Sequence, residues 1–155
     1  MLQQKEATVD RKLKIMFGVL IILGAVGSGY VHSALAEVVV VVNRTSPVTA
    51  VKKSVLKRYF FKKTTMWDYG EKVAPIDLPA GDPVREEFSK NILGISSREV
   101  ETYWISESLI GGKSAPEVVN NSNLVKARVA ANPAAIGYLN ISDLDDSVKR
   151  VEVVD

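Results

Sequence analysis

The residues able to do chemistry in this chain are few, and their types narrow the choice. There is no cysteine, and the one histidine is His32. His32 falls in the segment read below as a removed signal, so the mature chain has neither residue, which excludes thiol chemistry, disulfides, histidine-based triads and most zinc sites. Gly112-Lys113-Ser114 has the ending of a phosphate-cradling loop, but that motif needs a glycine at position 107, which is Glu107. Pro116 and Glu117 also stand where its helix would begin. Glu86, Glu87, Glu99 and Glu101 could pair for acid–base work. Acidic residues in a first helical turn more commonly complement the helix dipole. The residues give no enzyme, no metal site and no cofactor.

What remains is the loop Leu78-Pro79-Ala80-Gly81-Asp82-Pro83-Val84-Arg85. Asp82 is a good N-cap and Pro83 a good first helical residue. A loop entering a helix start presents free N–H groups and a positive dipole end, which suits a small anion. Ala80, Gly81, Asp82, Val84 and Arg85 are the candidate ligand-binding residues. The competing reading is that Asp82 caps this helix itself and fills the anion's seat.

The elements that must hold this loop can be read in order. Val38 to Val42 is a run of five valines, a strand covered on both faces. A helix is expected over Thr49 to Phe61, with Val48, Val51, Val55, Leu56, Tyr59 and Phe60 on one face. Lys52, Lys53, Lys57, Arg58, Lys62 and Lys63 fill its other side, either a solvated face or a surface for an anionic partner. Val73 to Leu78 is a second strand. The helix after Asp82 carries Val84, Phe88 and Ile92 and stops at Gly94. Ser96 and Glu99 fit a capping box opening a short helix with Val100, Tyr103 and Trp104. A Gly-rich loop spans Gly111 to Pro116. A helix from Asn123 to Ala131 ends before Pro133, and the apolar run Ala134 to Leu139 makes a buried strand. Gly137 in it implies a close neighbour. Lys149 to Val154 is a last strand, nearer an edge because it carries charge. Strands alternating with helices give one α/β domain with a mixed or mostly parallel sheet flanked by helices.

The first 36 residues read as a secretory signal. Lys5, Arg11, Lys12 and Lys14 precede the apolar run Ile15 to Gly27, and Ala34-Leu35-Ala36 supplies a cleavage site. As a helix that run reaches only about 20 Å, against a bilayer core of about 30 Å. Residues 1–36 hold four basic and two acidic residues. Removing them from the chain's 20 basic and 18 acidic residues leaves sixteen of each and a formal net charge of zero. A neutral mature chain offers no argument for nucleic acid. Asn43-Arg44-Thr45, Asn120-Asn121-Ser122 and Asn140-Ile141-Ser142 have the form of glycosylation sequons, relevant only to a eukaryotic route.

Four segments, in order, resemble the phosphate-binding proteins of bacterial ABC importers. Leu56 to Phe61 with Thr64 to Trp67 is similar to that family's helix and Thr-x-Trp turn. Val73 to Phe88 resembles its strand, ligand loop and helix. Glu101 to Trp104 resembles its aromatic-tipped helix, and "VAANPAAIGYLN" its Pro-Gly-Ala-Ile-Gly-Tyr strand. The resemblance implies a periplasmic-binding-protein-like domain, exported to a Gram-negative periplasm after cleavage behind Ala36. It implies one lobe where the family has two, and a phosphate-like oxyanion held at residues 80–85. The family's loop offers Gly, Ser and Thr after an Arg. Here Asp82 adds negative charge, Pro83 removes a donor, and the nearest arginine, Arg85, lies one turn inside the helix. Ligand binding is the role the resemblance implies first; these departures favour almost equally a second function, an interaction module that keeps the fold, has lost the ligand and binds an envelope or membrane protein.

Overall fold

The computed structural model describes residues 37–155, and the expected signal segment lies outside them. Its strands are β1 (Val38–Asn43), β2 (Ala50–Lys52), β3 (Ala74–Asp77), β4 (Glu117–Val118), β5 (Ala135–Asn140) and β6 (Val148–Val154). The helices are α1 (Lys53–Phe60), α2 (Pro83–Phe88), α3 (Ser97–Leu109) and α4 (Ser122–Ala131). The strands form one sheet in the order β2-β6-β1-β5-β3-β4. β1 runs antiparallel to β5 and β6, while β2–β6, β3–β5 and β3–β4 are parallel pairs. The sheet is mixed, flanked by helices, as the alternation of elements implies.

The valine run becomes a central strand because only a position covered on both faces hides it. Val39 to Val42 are all buried. Successive residues of β5 point to opposite faces. Tyr138 stacks on Phe88 with ring centroids 3.8 Å apart and lies beside Phe60 at 5.7 Å, so α1 and α2 cover one face. Gly137 faces α4 on the other. Asn43 ends β1 by donating to the carbonyls of Val129 (3.0 Å) and Ala130 (2.8 Å), closing the C-terminus of α4. That buried role, and not a sequon, accounts for this asparagine.

Four expectations change. Residues 50–52 form a strand, not the first turn of a helix, because Val51 pairs with Val153 and β-branched residues favour that pairing. α1 therefore begins at Lys53, and Lys52 leaves the basic helix face. The charged strand β6 is not at the edge. It lies between β1 and β2, burying Val148 and Val151 while Arg150 and Glu152 stay exposed. The helix after Asp82 loosens into a π turn at Ser89–Leu93 before Gly94, whose φ is 77°. The capping box at Ser96 and Glu99 is present, but it opens a helix of 13 residues, not a short one.

Gly137 is where a side chain cannot fit. A Cβ built there stands 2.6 Å from Val125 Cγ1 and 3.2 Å from Val129 Cγ2. Gly137→Ala should push α4 off the sheet and destabilise the protein by about 1–3 kcal/mol. Urea unfolding measures it, and an unchanged midpoint would mean that α4 packs loosely.

Candidate functional site

The loop between β3 and α2 begins at a buried carboxylate. Asp77, the last residue of β3, is 3% exposed and Arg85 is 4% exposed. Arg85 Nη1 lies 2.6 Å from Asp77 Oδ2 and also donates to the carbonyl of Leu78. The Tyr138 hydroxyl donates to Asp77 Oδ1 and accepts from the Leu78 amide at 3.3 Å. Burial pushes the Asp77 carboxyl up, while Arg85, Tyr138 and the Leu78 amide pull it down. Burial, reinforced by the adjacent Asp77 charge, raises the Tyr138 phenol well above its ordinary range and keeps it a donor.

α2 starts as its sequence dictates. Asp82 is extended, and its Oδ1 accepts from the amides of Val84 (2.8 Å) and Arg85 (3.4 Å). Pro83 has no N–H to offer. The Asp82 amide itself donates to Pro79 at 2.9 Å. A free helix start would aim these donors at an anion; here a carboxylate of the chain holds them. The amides of Ala80 and Gly81 stay outside these bonds. Gly81 is exposed and Ala80 half-buried, and the Ala80 carbonyl accepts from Ser97 Oγ at 2.8 Å. Val84 is buried in the core. The five candidate residues therefore share one six-residue turn, interrupted by Pro83, and of them only Ala80, Gly81 and the edge of Asp82 meet solvent.

Glu86 fastens the loop from below. Its Oε2 accepts from the Ser97 amide at 3.0 Å and from the Ser97 hydroxyl, and its Oε1 lies 3.0 Å from Lys90 Nζ. Glu87, next to it, donates nothing to the loop and accepts from Asn91. Glu99 completes the Ser96 box, its Oε2 accepting from the Ser96 amide at 2.8 Å and the Ser96 hydroxyl at 2.7 Å, so Glu86 and Glu99 serve a joint and a cap. Among the described residues no cluster of acidic or imidazole side chains is arranged to hold a metal.

Sequence reasoning missed Asp77 and Tyr138, since a carboxylate at the end of an apolar strand carries no spacing signal. The nearest hint was Arg85 itself, a cation on the buried face of a short helix.

No protein-family model and no curated protein sequence matches the chain. Solved structures do. An ABC-type phosphate transport receptor from Vibrio cholerae superposes with a TM-score of 0.61 at 23% identity, over 77% of this chain and 47% of that one. A phosphate ABC transporter substrate-binding protein with bound phosphate, from Clostridium perfringens, gives 0.61 and 23%, over 76% and 44%. PstS from Borrelia burgdorferi gives 0.57 and 11%, over 76% and 47%. The likeness establishes the fold, and the chain spans less than half the length of each of these structures.

Glu86 sets an acid limit. Bonds from Ser97, then Lys90, draw its carboxyl down from 4.5 to about 2. A depressed carboxylate contributes stability that is present above the unfolded value and lost as pH falls through the folded one. The urea midpoint of the wild type should therefore drop between pH 4.5 and about 2. Glu86→Gln should start lower at neutral pH and show less of that drop, the two curves converging near pH 2. Curves that stay parallel would show that Glu86 contributes nothing through its charge.

Proposed function

We propose that this chain is an exported, non-enzymatic solute-binding domain of the phosphate-binding-protein kind, acting in the bacterial periplasm beside ABC-type phosphate uptake. The four ordered sequence segments and the fold shared with phosphate-binding structures support this reading. Its loop at residues 80–85 holds a phosphate-like oxyanion weakly at most in the isolated chain. The observation that carries this is the Asp82 carboxylate seated on the Val84 and Arg85 amides. An anion there would meet a negative charge where the helix dipole otherwise offers it up to about 2 kcal/mol. Among the described residues Gly81 is exposed, so an ion at the loop would stay open to competing water.

A second reading is an interaction module that docks an envelope protein. It is favoured by the far end of α3, where Ile105, Leu109 and Ile110 are 55%, 81% and 78% exposed. Large apolar side chains grouped on one surface mark contact sites more often than isolated ones do.

Calorimetry with inorganic phosphate at low salt separates the two. The native protein should bind at millimolar strength or not detectably. Asp82→Ser with Pro83→Gly, which removes the charge and adds the N–H that Pro83 lacks, should bind more tightly at some cost in helix stability. Micromolar binding by the wild type would contradict the loop argument, and no gain in the double variant would mean that the chemistry of Asp82 and Pro83 is not what limits binding. Intact mass of the native protein tests export: a chain beginning at Glu37 in the periplasmic fraction is expected, and a membrane-bound chain retaining residues 1–36 would contradict it.

A further inference from the structure

α1 ends in a way that glycine usually serves. The Lys62 amide donates to Tyr59 (3.0 Å) and the Lys63 amide to Arg58 (2.8 Å), the two bonds of a Schellman cap. Lys62 holds the left-handed position with φ 48°, alone among the described non-glycine residues. A side chain there carries a backbone cost that glycine avoids, so a lysine in that place needs a reason.

Its surroundings give one. Lys62 Nζ donates to the Ala115 carbonyl at 2.9 Å, and Lys113 Nζ donates back to the Lys62 carbonyl at 2.8 Å. This exchange ties the segment 111–116 to the end of α1. Both lysines, with Lys72, line a cavity of about 610 Å³ at the end of β3 away from the Asp82 loop. Its apolar lining includes Tyr59, Val73 and Ile76. Thr64, whose buried Oγ1 has no hydrogen-bond partner, lines it too. Among the described residues none of the three lysines has a carboxylate within 4 Å. The one acid in the lining, Glu117, is held by Arg128 at 2.7 Å. Burial, and then the charge of Lys72, lowers the Lys62 ammonium below its ordinary value. Three cations therefore share a half-apolar hollow without a counter-charge.

We propose that this cavity binds a small organic dianion, a phosphate monoester on an apolar body, with its head among Lys62, Lys72 and Lys113. The body lies on Tyr59, Val73 and Ile76, and the three ammonium groups supply the charge-assisted bonds that bare water cannot match in a partly dry site. This site is separate from residues 80–85 and does not depend on how they bind.

Phenyl phosphate is the probe, followed by calorimetry and by the fluorescence of Trp67, whose indole donates to Ala134 on the cavity wall at 2.9 Å. The wild type should bind it saturably, more weakly as salt rises, and at least about tenfold more tightly than inorganic phosphate. Lys62→Gly with Lys72→Gln should weaken binding at least about tenfold. The same double variant should melt near or above the wild-type temperature, because glycine suits the left-handed position and Lys72 is exposed, so the loss cannot be misfolding. Asp82→Ser with Pro83→Gly should leave phenyl phosphate binding unchanged. The proposal is overturned if the probe does not bind, if the lysine variant binds as well as the wild type, or if inorganic phosphate binds equally. Sensitivity confined to the Asp82 variant would also overturn it and place the ligand at the loop instead.

Discussion

A carboxylate at the inner end of a buried strand has to be neutralised or solvated, and here Arg85 does the first. Asp77 and Arg85 are nearly as dry as the valines of β1. Taking both charges out of water costs several kcal/mol per ion, and only a short contact with further hydrogen bonds returns it. The Tyr138 hydroxyl and the Leu78 amide and carbonyl supply those bonds. One cluster thereby joins three elements: Asp77 from β3, Arg85 from α2 and Tyr138 from β5. Phe88, one turn beyond Arg85, stacks on the Tyr138 ring and Phe60 of α1 packs on Phe88 at 4.7 Å. The angle at which α2 leaves the loop follows from this pairing.

The electrostatics of the loop follow from the same constraint. With Arg85 turned inward, the loop presents no cation to solvent. With Asp82 on the first amides, it presents little positive field. The loop between β3 and α2 uses its charged groups internally, Arg85 on Asp77 and Asp82 on the helix amides. Free positive charge collects instead at the other end of β3, where Lys62, Lys72 and Lys113 line a cavity. Of the other basic residues expected along one helix, Lys53, Lys57 and Arg58 are exposed on α1, Lys52 is exposed on β2 and Lys63 just past the helix, and only Lys62 is drawn inward.

Much of the fold was legible because single residues decide it locally. Pro133 had to stop α4, five valines had to lie between two layers, and Asp82-Pro83 had to start a helix. Gly137 announced a close neighbour, and Val125 is that neighbour. What was not legible depends on partners far along the chain. Ala50-Val51-Lys52 looks helical until β6 offers an edge to pair with, and charged β6 looks like an edge until β2 covers it. The two-residue strand β4 exists only because β3 provides Ile76 and Asp77 to pair with Glu117 and Val118. At the loop, the sequence exposed the Asp82 cap but hid the inward turn of Arg85, since its partner Asp77 reads as an ordinary strand end. The lysine cavity was invisible for the same reason: residues 62, 72 and 113 share no spacing.

A double-mutant cycle on Asp77 and Arg85 measures whether the two charges hold each other in the core. Asp77→Asn and Arg85→Met, each alone, strand one buried charge, and each should lower the unfolding free energy by about 3–5 kcal/mol. The double variant leaves no charge unpaired and should recover much of that loss, a coupling of at least about 2 kcal/mol between residues in contact. Losses that simply add would contradict the account, because Arg85 would then be independent of Asp77 and free to serve the loop.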